Sequence, residues 1–294
     1  MTVETFMAYN CTMPRTATIS FAVALALLGA GANPAAAQIR VEKDIKYVAN
    51  ATYADNKDKL DLFIPPGVKS APVIISLYGG ALTAGDKSEQ PYVGERFAEA
   101  GYLAVLINYR LSPTVAHPAH VQDAAMAVAW VKKNIAKYGG DPNRIVLTGH
   151  SAGAYLISLL LLDPRYLAAV GMKPGDIRGA APVSAFFYVE RAGVGPDRPK
   201  FIWGADPKAW PAASPATYVR ANVPPMLLLY ADGDDAWRRE QQTDFAAALR
   251  AAGDTNVATH EIIGRTHLTV WYTMKDGQDE TSRAIEAFAA KVAK

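Results

Sequence analysis

The sequence predicts an α/β fold built on a mostly parallel, doubly wound sheet. Continuous apolar runs such as "PVIISLY" (72–78) and "YLAVLINY" (102–109) have the character of strands buried on both faces. Segments with helical spacing of apolar residues alternate with them, and that rhythm calls for parallel strands joined by helices. The third observation is "RIVLTGHSAGAYLISLLLL" (144–162), where strand, G-x-S-x-G and helix follow without a break.

Taken in order, residues 40 to 64 alternate apolar and polar in places, as in "KLDLFIP" (59–65), which predicts antiparallel strands opening the domain. "PVIISLY" is the first buried strand, and "PYVGERFAEAG" (91–101) is a helix stopped by Gly101. After "YLAVLINY" comes the helix "HVQDAAMAVAWVKKNIAKYGG" (120–140), ended by Gly139 and Gly140. "RIVLTG" and "AGAYLISLLLL" supply the next strand and helix, followed by strands "RGAAPVS" (178–184) and "PMLLLYA" (225–231). The helix "WRREQQTDFAAALRAAG" (237–253), the strand "VATHEII" (257–263) and a helix from about Glu280 close the chain. Residues 185 to 224 break the rhythm, and the Pro- and aromatic-rich stretch 185–213 reads as a small lid. Its aromatics Phe186, Phe187, Tyr188, Phe201, Trp203 and Trp210, with Trp237 and Trp271 further on, fit core and lid packing before a binding cage.

Composition bounds the function. Half of the 294 residues are hydrophobic and the formal charge is +2, with no basic cluster, so neither nucleic acid nor an acidic membrane is an expected partner. After Arg15, the apolar stretch Ile19 to Ala32 leads to an A-x-A site at Ala35–Ala37. These parts make residues 1–37 a signal peptide cleaved before Gln38, too short in its apolar run for a stable membrane anchor. Residues before Met13 are consistent with a start codon placed too early. The expectation is a single domain over 38–294, exported to the periplasm or beyond. Cys11, the sole cysteine, falls in the leader, so the mature chain has no disulfide, thiol ligand or lipid-anchor cysteine.

G-x-S-x-G carries chemistry when a buried strand precedes it and a helix follows, because the serine then stands exposed on a sharp turn above the helix N-terminus. Ser151 satisfies both conditions and is the candidate nucleophile. A serine hydroxyl needs a base to take its proton. His267 follows the strand "VATHEII" and the turn Gly264–Thr266, past the carboxyl end of a strand, where ligand chemistry sits in open α/β sheets. His150 adjoins Ser151 and its side chain should diverge; His117 and His120 fit surface or packing roles, and His260 lies inside a strand pattern. The base in turn needs a carboxylate, and "YADGDDAW" offers Asp232, Asp234 and Asp235, of which spacing past the strand favours Asp234. The tetrahedral intermediate needs backbone donors: Ala152, next to the nucleophile, and the glycine-rich loop in "SLYGGALTAGDK" (76–87). That loop fails the phosphate-loop signature because Asp86 separates Gly85 from Lys87. Neither a dinucleotide fingerprint, nor H-E-x-x-H, nor a calcium loop is present, so no metal or cofactor is expected.

These motifs resemble serine esterases of the α/β-hydrolase superfamily, near the hormone-sensitive-lipase and kynurenine-formamidase-like branches. The resemblance spans about residues 55 to 275 and rests on "YGGA" with "GDK", "NYRLSP" (108–113), "YGGDPNRIVLTGHSAGA" (138–154), "PPMLLLYADGDD" (224–235) and "GRTH" (264–267). It implies the α/β-hydrolase fold, Ser151 as nucleophile, Asp234 as acid and His267 as base, with oxyanion donors at Gly80, Ala81 and Ala152. Where the family carries His-Gly-Gly-Gly and an aromatic, this chain has Tyr78-Gly79-Gly80-Ala81-Leu82. Alanine at 81 is compatible with a donor role if its φ stays negative, and the missing aromatic at 82 reshapes the pocket wall. With little between Gln38 and the first strand, the large N-terminal cap of the lipase-like branch is not expected. The expected function is hydrolysis of small carboxylic esters, short-chain or aromatic, through an acyl-enzyme. An amidase or arylformamidase with the same triad is the neighbouring alternative, and a catalytically silent binding scaffold the remote one.

Overall fold

Val73, Ile75 and Leu77 pack into one apolar cluster while Ile74, between them, packs into another, which is the two-sided burial expected of a central strand. The computed structural model describes residues 38–294 except Ala51 and residues 194–197. The leader and its cleavage motif lie outside the described residues. Eight strands form one sheet: β1 (Arg40–Lys46), β2 (Lys59–Ile64), β3 (Ala71–Leu77), β4 (Leu103–Ile107), β5 (Gly140–His150), β6 (Gly179–Val183), β7 (Met226–Gly233) and β8 (Val257–Thr266). Their order is β1-β2-β4-β3-β5-β6-β7-β8. β1 and β2 pair antiparallel, as does β2 with β4, and every later pairing is parallel.

The helices are α1 (Pro91–Glu99), α2 (Ala119–Asn134), α3 (Ala152–Leu162), α4 (Pro164–Ala168), α5 (Arg198–Trp203), α6 (Ala236–Ala251), α7 (Thr269–Tyr272) and α8 (Glu280–Val292). Apolar residues of α2, α3 and α6 bury against one face of the sheet, and those of α1 and α8 against the other. α3 is buried at every position, which is why its sequence is apolar all round. The short α4 was not expected from periodicity; it starts on Pro164, with the Asp163 side chain accepting from the Arg165 N–H as a cap.

The topology fixes where chemistry can happen. From β3 the chain crosses to β4, then returns over β3 to β5, and continues the other way to β6. Loops after β3 and β5 therefore part in opposite directions and leave a crevice above their carboxyl ends, a topological switch point. Leu77 is in register with Gly149, so the glycine-rich loop and Ser151 leave the sheet side by side.

Several boundaries differ from the sequence reading: α2 ends at Asn134 and β5 begins at Gly140, which the reading gave to the end of the helix. β8 runs through Thr266, where it pairs with Gly233, so His267 follows the strand directly and no separate Gly264–Thr266 turn intervenes. A register shift between Ala231 and Gly233 absorbs the difference. The stretch 185–213 contains α5 and two 3-10 segments, Val189–Arg191 and Pro207–Ala213. It is fastened to the domain: the Tyr155 hydroxyl of α3 donates to the Ala213 carbonyl at 2.9 Å, and the Trp203 indole N–H donates to the Tyr155 hydroxyl at 3.2 Å.

Candidate active site

Ser151 stands between the last residue of β5 and the first of α3 with φ 52° and ψ −110°, a conformation a non-glycine residue holds only where its surroundings enforce it. The enforcement is steric. A Cβ on Gly149 would come 2.8 Å from the Leu77 carbonyl oxygen, and one on Gly153 would come 2.2 Å from it. The motif's glycines thus let β5 and α3 close onto the end of β3, pinching the serine outward. The Ser151 N–H is held by the Val183 carbonyl at 2.9 Å.

The structure brings the three separated side chains into one hydrogen-bonded line. Ser151 Oγ lies 3.0 Å from His267 Nε2, and His267 Nδ1 lies 2.6 Å from Asp234 Oδ1. A carboxylate only accepts, so Nδ1 carries the proton and Nε2 is left as the acceptor for the serine hydroxyl. Asp234 is buried, and its second oxygen accepts from the Ser184 hydroxyl at 2.6 Å and the Ala231 N–H at 3.0 Å. Burial pushes the Asp234 carboxyl up, but the bonds from His267, Ser184 and Ala231 outweigh it and hold it below the ordinary carboxylate value. Arg238, one turn into α6, reaches the Ser184 carbonyl at 2.7 Å and sits 3.8 Å from Asp234 Oδ1.

The choice among the three aspartates follows from this geometry. Asp232 accepts the Arg265 N–H at 3.0 Å and so ties β7 to the end of β8. Asp235 is exposed at the start of α6 and its side chain caps nothing. Asp234 alone of the three touches the histidine.

The loop after β3 departs from expectation at Ala81. Gly80, Ala81 and Leu82 have φ of 110°, 58° and 63°, so the alanine is left-handed and not in the negative-φ form foreseen for it. The reason is a tight turn, in which the Gly80 carbonyl accepts from both Thr83 and Ala84 N–H at 3.0 Å. Among the described residues, neither the Gly80 nor the Ala81 N–H has an acceptor. Gly79 lies against Ser151, since a Cβ there would be 3.3 Å from Ser151 Cβ. Ala152 opens α3, where a first-turn N–H is unsatisfied by the helix itself.

"GDK" turns out to anchor this loop. Lys57 Nζ donates to the Gly85 carbonyl at 2.8 Å and to Asp86 Oδ2 at 2.9 Å, and Asn108 also donates to Asp86. Burial raises the Asp86 carboxyl, yet the Ser88 N–H and Lys57 win and bring it down to about 2. Buried Lys87 bridges Asp44 and Asp61 at 2.8 and 2.6 Å. Tyr78 stacks on Tyr109 with centroids 4.4 Å apart.

His117 and His120 take packing roles, bonded to the Tyr166 hydroxyl and to Ser112, and His260 pairs at the surface with Glu280. His150, which the sequence reading set aside, lies beside His267 and bonds the His267 carbonyl at 2.7 Å, a contact sequence spacing gave no sign of. Most of the aromatics pack: Phe187 stacks on Phe245 at 3.9 Å, Phe186 on Tyr155 at 4.5 Å, and Trp271 is fully buried. Phe201 is the exception, 60% exposed. Among the described residues no cluster of three His, Cys, Asp or Glu could hold a metal, and no helix is long and apolar enough to cross a membrane.

Comparison with known proteins agrees with this architecture. The BD-FAE family model matches residues 60–165, from β2 through the glycine-rich loop and the elbow into α4. Esterase LipQ of Mycobacterium tuberculosis is 36% identical over 217 residues, covering 69% of this chain and 51% of LipQ. The probable carboxylic ester hydrolase LipM of the same organism is 30% identical, covering 76% of this chain and 56% of LipM. The chain thus spans about half the length of the curated relatives it matches. A truncated carbohydrate esterase from gut microbiota superposes with a TM-score of 0.74 at 20% identity, over 88% of this chain and 98% of its own, a likeness of fold. By its sheet order and these likenesses the chain has the α/β-hydrolase fold, and over about half of their length it is similar to the esterases named above.

Proposed function

We propose that the protein hydrolyses small carboxylic esters through an acyl-enzyme on Ser151. The observation that carries the reading is the unbroken line from Ser151 Oγ through His267 to Asp234, at 3.0 and 2.6 Å. His267 Nε2 takes the hydroxyl proton as Oγ adds to the ester carbonyl. The oxyanion is received by the N–H groups of Gly80, Ala81 and Ala152, each donor being worth about 3 kcal/mol of barrier. Imidazolium, stabilised by Asp234, then returns its proton to the departing alcohol, leaving the acyl group on Ser151. Water, deprotonated by the same nitrogen, attacks the acyl carbon; the acid leaves and Ser151 recovers its proton. The chain's own groups balance every proton.

The relatives' printed activities, esterase and carboxylic ester hydrolase, support the ester reading. Packing of Phe186 and Trp203 on Tyr155, one turn beyond the nucleophile, favours a short acyl group. The apolar leader supports export to the periplasm or outside the cell.

The test is a panel of p-nitrophenyl esters from acetate to octanoate, an aryl ester and an N-formyl arylamine, run with wild type and Ser151→Ala. Turnover of short esters that vanishes in the variant, with one organophosphate bound per chain at Ser151, is the expected result. Preferential cleavage of the formyl arylamine would move the assignment to the amidase. A folded protein that neither turns over an ester nor takes the label would be a binding scaffold.

A further inference from the structure

We propose that His150, which takes no part in the steps above, is a positioning residue that fixes His267 through its main chain. The inference rests on the reading of His267 as the base, and it adds a residue to the machinery that holds that base.

His150 closes β5 with its side chain buried, one residue before the nucleophile. Its Nε2 lies 2.7 Å from the His267 carbonyl oxygen. A carbonyl only accepts, so this nitrogen carries the proton and the imidazole is the Nε2–H tautomer. The two rings lie 4.7 Å apart at 39°. On its other side His150 stacks on Trp271, 5.7 Å away and tilted by 16°. Trp271 is in turn secured by its indole N–H to Gln90 Oε1 at 3.0 Å. Nδ1 abuts the glycine-rich loop, where a Cβ on Gly79 would stand 2.9 Å from it. One ring therefore fills the space between nucleophile, oxyanion loop and base.

His267 needs such a tether. The β7–β8 ladder ends at Thr266, and Leu268, the residue after His267, is 55% exposed. The bond from His150 joins the His267 main chain to the end of β5, beyond the last residue of the ladder. The titratable and charged groups around the pair are Asp234 and, behind it, Arg238. Burial, then the nearness of His267, brings the His150 imidazole down to about 3, so the donor stays neutral through the working range. A tether to the main chain sets the direction of Nδ1 toward Asp234 and of Nε2 toward Ser151 without touching either proton.

Two substitutions separate hydrogen bond from packing. His150→Phe keeps a ring on Trp271 and removes the donor; His150→Gln restores an N–H near the position of Nε2. For p-nitrophenyl acetate we expect kcat to fall about tenfold in His150→Phe with KM within twofold. The acidic limb of kcat/KM should move to lower pH, and the low-field proton resonance of the His267–Asp234 bond should broaden or move upfield. His150→Gln should recover most of the rate and the resonance. A folded His150→Phe with wild-type kcat, limb and resonance overturns the inference, as does an equal rate loss in both variants with the resonance unmoved, which is packing alone. If His150→Phe does not fold, His150→Gln decides: a retained resonance upholds the tether and a lost one refutes it. The resonance requires no substrate, so a failed ester assay leaves this test standing, whereas full activity in Ser151→Ala overturns the function and not the geometry.

Discussion

The hydroxyl of Ser184 donates to Asp234 Oδ2 at 2.6 Å, occupying the carboxylate oxygen that His267 leaves free. Ser184 is fully buried and left-handed at φ 50°, and its carbonyl takes the Arg238 guanidinium at 2.7 Å. A strained serine held from both ends points its hydroxyl at one place only. Hydrogen bonds to charged groups contribute about 1.5–3 kcal/mol. Ser184→Ala should therefore lower kcat by about tenfold with KM little changed. Steady-state kinetics on a short ester checks this, and an unchanged kcat would show that the Ala231 N–H suffices to aim the acid.

The three aspartates should separate sharply. Asp234→Asn removes the charge that stabilises the imidazolium and is expected to cost about 10⁴ in kcat. Asp235→Asn, at an exposed side chain that caps nothing, should stay within about twofold. Asp232→Ala, which frees the Arg265 N–H, should cost less than about tenfold. Comparable losses at 232 and 234 would contradict the geometry.

Adjacent positions in the glycine-rich loop should respond in opposite ways. Gly80→Ala would place a Cβ 2.1 Å from the Ala84 carbonyl oxygen at φ 110°, so the turn must open and its donors swing away. A loss of about a hundredfold or more in kcat is expected, the scale of one missing oxyanion donor. Ala81 already holds φ 58°, which glycine adopts without strain, so Ala81→Gly should keep kcat within about threefold. Kinetics on the pair, with circular dichroism as the folding control, tests the prediction.

Acid should weaken the fold before the carboxylates titrate. Burial holds His117 and His120 down to about 4, and His150 to about 3, against an ordinary 6.5. Below pH 6.5 the unfolded chain takes up protons that the native state refuses, so stability is full above that pH and falls as pH drops toward 4. Each histidine contributes about 1.4 kcal/mol per pH unit within the window. Urea midpoints measured from pH 7 to 5 should fall, and His120→Gln should flatten the slope by about a third. A level midpoint across that range would refute it.

Much of this was legible in the chain itself. The strands β3, β4 and β7 and the helices α1, α3, α6 and α8 stand where apolar runs and helical spacing put them, because those are properties of neighbouring residues; α2 stops six residues early and β5 starts four residues early. Ser151 was legible for the same reason: its elbow is a local conflict between strand and helix that glycine must relieve. Sequence alone also set the order Ser151, Asp234, His267.

The rest was decided at long range. Which of Asp232, Asp234 and Asp235 meets the base depends on where β7 stops against β8, across a register shift no local pattern encodes. Ala81 is left-handed because of a turn closed by Thr83 and Ala84, against an expectation drawn from its own steric preference. His150 is a neighbour of Ser151 in the chain, yet its partner is 117 residues away. Such pairs exist only once the sheet order has carried β8 to the edge and folded its end back over β5. Periodicity fixes the elements, but distances between residues far apart in the chain are set by how those elements pack.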